Sequence, residues 1–161
     1  MATTNEQNTH GRTRLSFASV ADIDEFVATL ERYERGEMTP DQWRAFRLVR
    51  GTYGQRQEGV QMLRIKIPFG GLNPQQLEVM AELAEEYSDG IAHVTTRQDV
   101  QIHWVGIDEV VPMYERLHAV GITTRGACAD TVRNVTGCFH AGVLPGEAFD
   151  VAPYVYAIHE Y

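Results

Sequence analysis

The chain has 161 residues, a formal charge of −8, 43% hydrophobic residues and two cysteines. That length allows one domain, or one domain with an appendage, and enough apolar residues for a core. The acidic balance disfavours general nucleic-acid binding, no apolar run approaches the ~18 residues of a membrane span, and two cysteines make no disulfide framework.

Met1–Arg14 is polar, has no apolar centre and includes Glu6, so it reads as a disordered tail rather than a targeting signal. Cytoplasm is the expected compartment. Asp22–Arg35 predicts an amphipathic helix: Ile23, Phe26, Val27, Leu30 and Tyr33 recur at helical spacing, Asp22 can cap the start and Gly36 stops it. A second helix begins at Thr39, with Pro40 in the first helical position and Gln42 completing a capping box, and offers Trp43, Phe46 and Val49 to a core. Arg50–Gly59, with glycines at 51, 54 and 59, predicts a cationic, amide-rich loop.

A strand over Gln61–Ile67 ends at Pro68. Asn73 caps and Pro74 opens a helix with Leu77, Met80, Ala81, Ala84 and Tyr87 on one stripe. Strands Ile91–Thr96 and Asp99–Val105 flank an Arg97-Gln98 corner. A helix follows over Glu109–Val120, with Pro112 tolerable in its first turn, and Ile122–Ala127 is expected as a final edge strand. The order β-α-β-β-α-β is the ferredoxin-like unit, an α+β fold. We therefore divide the chain into a tail, two helices and a cationic loop (1–58), a ferredoxin-like half-domain (59–127) and the start of a further lobe (128–161). The last piece, Tyr154–Tyr161, reads as a helix too short to stand alone, so the fold is expected to continue beyond this sequence.

Alternation along the strands separates two faces. Met62, Arg64 and Lys66 lie opposite Leu63, Ile65 and Ile67; His93, Thr95 and Arg97 lie opposite Ala92, Val94 and Thr96; Gln101 and His103 lie opposite Val100, Ile102 and Trp104. Both helices cover the apolar face in this topology, which leaves the cationic face open. Arg56, Arg64, Arg97 and Arg133 are expected at one loop-rich end of it. Grouping cations costs repulsion energy unless an anion neutralises them, and a guanidinium offers a planar fork of donors suited to oxyanions. Blander readings stand beside this one. Arg64 and Lys66 could be charges guarding a sheet edge, Thr95–Gln98 a polar turn, His93 and His103 solvated rather than metal-binding, and Cys128 and Cys138 reduced thiols. No nucleophile or phosphate-loop motif is present, and no metal site is expected.

Four segments together resemble the siroheme-dependent nitrite and sulfite reductases: Arg50–Gln57, Met62–Pro68, Thr95–His103 and Thr131–Val135. The similarity covers about Asp22 to Pro153. The resemblance implies an oxidoreductase with two pseudo-symmetric halves, of which this chain would supply the first ferredoxin-like unit and the entry to a siroheme/[4Fe–4S] lobe. It implies six-electron reduction of nitrite to ammonia or of sulfite to sulfide. Arg64 and Arg133 would contact the oxyanion as catalytic residues. Arg97, Gln101, His103, Thr95 and Lys66 would be siroheme-side contacts, with Asn134, Tyr53, Gln55 and Arg56 in support. Its partners would be the rest of the reductase and a ferredoxin or NAD(P)H-linked flavoprotein donor, with no nucleic acid and no membrane. A [4Fe–4S] cluster normally takes four thiolates; neither Cys128 nor Cys138 matches a cluster motif, so this chain alone is expected to be catalytically incomplete. The alternative is a non-catalytic ferredoxin-like module that docks a partner protein or anionic ligand.

Overall fold

The computed structural model describes residues 18–160, so the Met1–Arg14 tail lies outside the described residues. Helix α1 spans Val20–Glu34 and α2 spans Pro40–Val49. The α2 capping box forms as expected: Thr39 Oγ1 accepts from the Gln42 N–H at 3.3 Å, and Gln42 Oε1 accepts from the Thr39 N–H at 2.9 Å. In α1 the N-cap is Ser19, without a side-chain cap, and Asp22 instead accepts from Arg125. The apolar stripes of α1 and α2 meet through rings, with Tyr33 stacked on Trp43 at 5.2 Å and Phe26 against Trp43 at 5.5 Å.

Four antiparallel strands form one sheet in the order β1-β2-β4-β3: β1 Thr52–Gly54, β2 Val60–Ile65, β3 Ala92–Val94 and β4 Val100–Gly106. Helices α3 (Pro74–Tyr87) and α4 (Val110–Ala119) pack against each other over the face that carries Leu63, Ile65, Val100, Ile102 and Val105. The fold is thus α+β and ferredoxin-like. Asn73 caps α3 reciprocally with Gln76, and Pro112 falls in the first turn of α4. A fifth helix, α5 (Ala152–Glu160), seats Ala152 and Val155 beside Phe69 and Ala141 in a small separate core.

Three expectations change. The segment expected as an edge strand, Ile122–Ala127, touches the sheet at a single bridge between Thr123 and Lys66. The outer edge of β2 is already taken by residues expected as loop. Thr52–Gly54 pairs with Gln61–Leu63, and the Arg64 N–H donates to the Gly51 carbonyl at 2.8 Å. Gly51 permits this because a Cβ there would lie 2.5 Å from the Arg64 carbonyl and 2.7 Å from that of Thr124, at a φ of +81°.

The second change is at Trp104, expected on the buried face but 44% exposed. Gln61 pairs with Val105 whereas Leu63 pairs with Ile102, so β4 carries one extra residue, and Trp104 sits at φ +65°. The bulge resets the alternation and hands the core position to Val105. The third change concerns β3, which is shorter than expected. Its apolar side is uncovered at the sheet edge, with Val94 83% exposed.

Tyr114 ties the helical layer to the β1–β2 edge. Its hydroxyl donates to the Arg50 carbonyl at 2.6 Å and lies 2.7 Å from Thr52 Oγ1. Full burial pushes its pKa up to about 12. Tyr114→Phe leaves a buried carbonyl without its donor, and should lower unfolding stability by about 1–3 kcal/mol. Urea unfolding with unchanged slope checks this; an unmoved midpoint would refute the link.

Candidate anion-binding site

The open face begins with one cross-strand row. Arg64 on β2 pairs with Gln101 on β4, which pairs with His93 on β3. With its carbonyl oxygen turned toward the guanidinium, Gln101 accepts from Arg64 Nη2 at 2.9 Å and Nε at 3.2 Å. This bidentate contact sets the plane of the Arg64 fork. His103 lies beside His93, with ring centroids 5.1 Å apart. Burial, then the neighbouring His93, holds the His103 pKa below the usual histidine value, against the pull of Asp89.

Just past the end of β2 the cations become buried. Lys66 is only 8% exposed, and its Nζ donates to the Val132 carbonyl at 3.3 Å. Burial lowers the Lys66 pKa; Asp99 opposes this and Arg133 adds to it. Arg133 spends Nη2 on the Ala127 carbonyl at 2.5 Å and Nη1 on that of Ala129 at 3.4 Å, while its buried Nε has no partner among the described residues. Between these cations sits Asp99, whose Oδ1 accepts from the Ile67 N–H at 3.4 Å. Burial raises its pKa, and Ile67, Arg64, Arg133 and Lys66 draw it back. Burial likewise pushes the Cys128 thiol up, against the pull of Arg64 and Arg133.

The β3–β4 turn and the 131–137 loop hold this arrangement together. Thr95 Oγ1 accepts from the N–H groups of Arg97 at 3.3 Å and Asp99 at 3.2 Å, which closes the turn. Gln98 takes a φ of +60°, costly for a residue with a Cβ. Both ends of its amide are clamped on Gly137: Nε2 donates to the carbonyl at 2.9 Å and Oε1 accepts from the N–H at 3.0 Å. Asn134 Nδ2 donates to the carbonyls of Ile67 at 2.7 Å and Arg97 at 2.8 Å. These bonds bring Arg133 to Arg64 from a distant part of the chain.

Arg64, Lys66, Gln101 and Arg133 therefore converge, and the exposed Arg97 stands on the adjoining turn with no ion pair among the described residues. Tyr53, Gln55 and Arg56 do not join them. They belong to β1 and the β1–β2 hairpin, toward the other end of β2, where Gln55 Oε1 accepts from the Trp104 N–H at 2.7 Å. The expected grouping of Arg56 with the other three arginines is not found, because β2 runs between them. Thr95 and Asn134 direct their hydrogen bonds into the backbone. The site also contains residues that sequence reasoning passed over. Asp99 shares the strand parity of Gln101 and His103, a signal that was available. Cys128, expected only as a reduced thiol, and His159 carried no signal that they belong here. His159, on α5, lines an open cleft of about 480 Å³ with Lys66, Arg125, Thr131 and Val132.

Residues 53–120 match the family model described as the nitrite/sulfite reductase ferredoxin-like half domain. The chain is 37% identical over 115 residues to an assimilatory ferredoxin-dependent nitrite reductase of Haloferax mediterranei, covering 64% of this chain and 20% of the relative. It is 39% identical over 108 residues to a chloroplastic ferredoxin–nitrite reductase of Zea mays, covering 66% and 19%. The chain thus spans about a fifth of the length of the curated relatives it matches. The fold of the solved Mycobacterium tuberculosis NirA protein aligns with a TM-score of 0.71 at 24% identity, covering 86% of this chain and 31% of that one. The matched segment includes Arg64, Lys66, Arg97, Gln101 and His103, whereas Arg133 and Asn134 lie beyond it.

Asn134→Ala removes two bonds to backbone carbonyls at once and should cost about 1–3 kcal/mol. Hydrogen exchange should quicken at Gln98 and Gly137; unchanged protection there would contradict the clamp. A second test concerns acid. Burial, then nearby Lys66, lowers the His159 pKa to about 4. The unfolded chain takes this proton first, near the ordinary histidine value of ~6.5. The neutral imidazole's share of stability is therefore present above that value and lost as pH falls toward about 4. His159→Gln should flatten stability against pH over that window; an identical slope in the variant would refute it.

Proposed function

We propose that this chain forms part of a siroheme-dependent nitrite or sulfite reductase, supplying contacts to the oxyanion and to the cofactor. The observation that carries this reading is the convergence of three cations, Arg64, Lys66 and Arg133, on one buried carboxylate, Asp99. Such a set is short of negative charge. Its donors are also incompletely used, since Arg133 Nε has no partner among the described residues and Lys66 makes one long bond to a carbonyl. These features fit a polycarboxylate macrocycle with an oxyanion beside it.

When bound, siroheme supplies the iron and the electron path that the reduction requires. The chain's own residues do the rest of the work assigned here. Arg64, its fork oriented by Gln101, and Arg133 donate to the oxygens of nitrite or sulfite and to the charge that develops as oxygen leaves. Lys66 adds a partly desolvated point charge, stronger in its effect than a solvated one. Arg97 and His103 face the macrocycle side of the open sheet. Thr95 and Asn134 act by holding the turn and loop, and the Tyr53–Arg56 hairpin supports the far end. The ferredoxin dependence named for the relatives supports ferredoxin as electron donor. A [4Fe–4S] cluster takes four thiolates, whereas the chain has two cysteines, one buried against Arg64 and one exposed. These residues do not fit that cluster, so in this reading other segments hold it.

In a holoenzyme that contains this chain, Arg133→Ala should lower turnover of nitrite or sulfite by about 10²–10³-fold, the cost of one positioned donor. Its thermal midpoint should move far less. Arg97→Ala should lower siroheme occupancy, read from the absorption band per protein. Wild-type occupancy together with undiminished turnover would reject the reading in favour of a non-catalytic module.

A further inference from the structure

Asp99 is the most deeply buried charged group of this site. It is 0% exposed, receives one long hydrogen bond from the Ile67 N–H at 3.4 Å, and its Oδ2 has no partner among the described residues. A buried carboxylate is costly unless paired and hydrogen-bonded. What holds the charge on Asp99 is its set of neighbours, Arg64 on β2, Lys66 just past its end and Arg133 from the 131–137 loop, with the neutral Cys128 thiol close by. His159 approaches from the Lys66 side.

The same cations form the site read above as receiving an anion, and they cannot serve both charges at full strength. An incoming negative charge offsets their field at Asp99 and leaves the carboxylate buried without compensation. We propose that Asp99 takes up a proton when an anion occupies the Arg64–Lys66–Arg133 site, so that anion binding and proton loading are one coupled event. A solvent proton forms an O–H bond on the free Oδ2, and no electrons move. Burial already raises the pKa of this group against the pull of the three cations, so weakening that pull moves it further toward the protonated form. By linkage, the anion in turn binds more tightly as pH falls through this titration. Asp99 is then a local proton store in a reaction that releases oxygen as water and consumes protons. The proposal rests on the anion-site reading of the preceding subsection.

The test uses the full chain and two measurements. Carbon-detected NMR follows the Asp99 carboxyl against pH in the ligand-free protein, comparing wild type with Arg133→Gln. Removing one cation should raise the Asp99 midpoint by about one pH unit, a tenfold change in proton affinity; an unchanged midpoint overturns the coupling without any ligand being involved. Calorimetric titration with nitrite, and separately with uroporphyrin as a polycarboxylate macrocycle, in buffers of different ionisation enthalpy gives protons taken up per ligand. Wild type should take up a substantial fraction of a proton just above the Asp99 midpoint, and Asp99→Asn, of the same shape, should bind with that uptake gone. Binding with equal uptake in both proteins overturns the proposal and leaves the anion site standing. No binding of either probe, with the NMR coupling present, overturns the anion-site reading and this proposal with it.

Discussion

Pairing between β2 and β4 governs both the fold and the site. Leu63 with Ile102 and Ile65 with Val100 fix one register, and that register places Arg64 directly across from Gln101. A slip of one residue would exchange the faces, putting Arg64 and Lys66 against α3 and α4 and the leucine and isoleucines into the open. The fully buried Leu63, Ile65 and Ile102 make such a slip prohibitive. The hydrophobic core thereby aims the cations, and the position of the site follows from the packing on the opposite side of the sheet.

The bulge at Trp104 shows how a local departure preserves this register. Strict alternation would bury the indole and expose Val105. One additional residue in β4 reverses both and gives the core a smaller side chain. The liberated Trp104 N–H finds the Gln55 side chain, so the β1–β2 hairpin is tied down where the ladder is interrupted. The same hairpin occupies the outer edge of β2 and limits the 122–127 segment to one bridge. That segment instead runs on beneath the cations, and Gly126 donates to the Val49 carbonyl at 2.7 Å.

Electrostatic crowding is stabilised here by hydrogen bonding from the backbone rather than by ion pairs. Arg133 and Lys66 donate to the carbonyls of residues 127, 129 and 132. Carbonyl dipoles orient cations without neutralising them, so the positive charge remains available to a ligand. The one carboxylate in the set is fully buried, and its charge depends on the same cations that a ligand would engage. Ligand charge and protonation state are therefore physically connected in this site.

Much of the fold was legible in the residues themselves, because its signals are local. Caps at Thr39 and Asn73, prolines at 40, 74 and 112, and apolar alternation along 61–67 each depend on near neighbours. The cationic parity of Arg64 and Lys66, and of Gln101 with His103, followed from the same period of two. What only the tertiary structure decided is non-local. No short-range pattern predicts that Thr52–Gly54 outcompetes 122–127 for one strand edge, or that a bulge turns Trp104 outward. Nor does it predict that Gln98 and Asn134 clamp the loop that delivers Arg133 to Arg64 while Arg56 is left at the far end. These outcomes depend on which backbone groups remain unpaired once the sheet has formed, a property of the assembled chain that no segment carries alone.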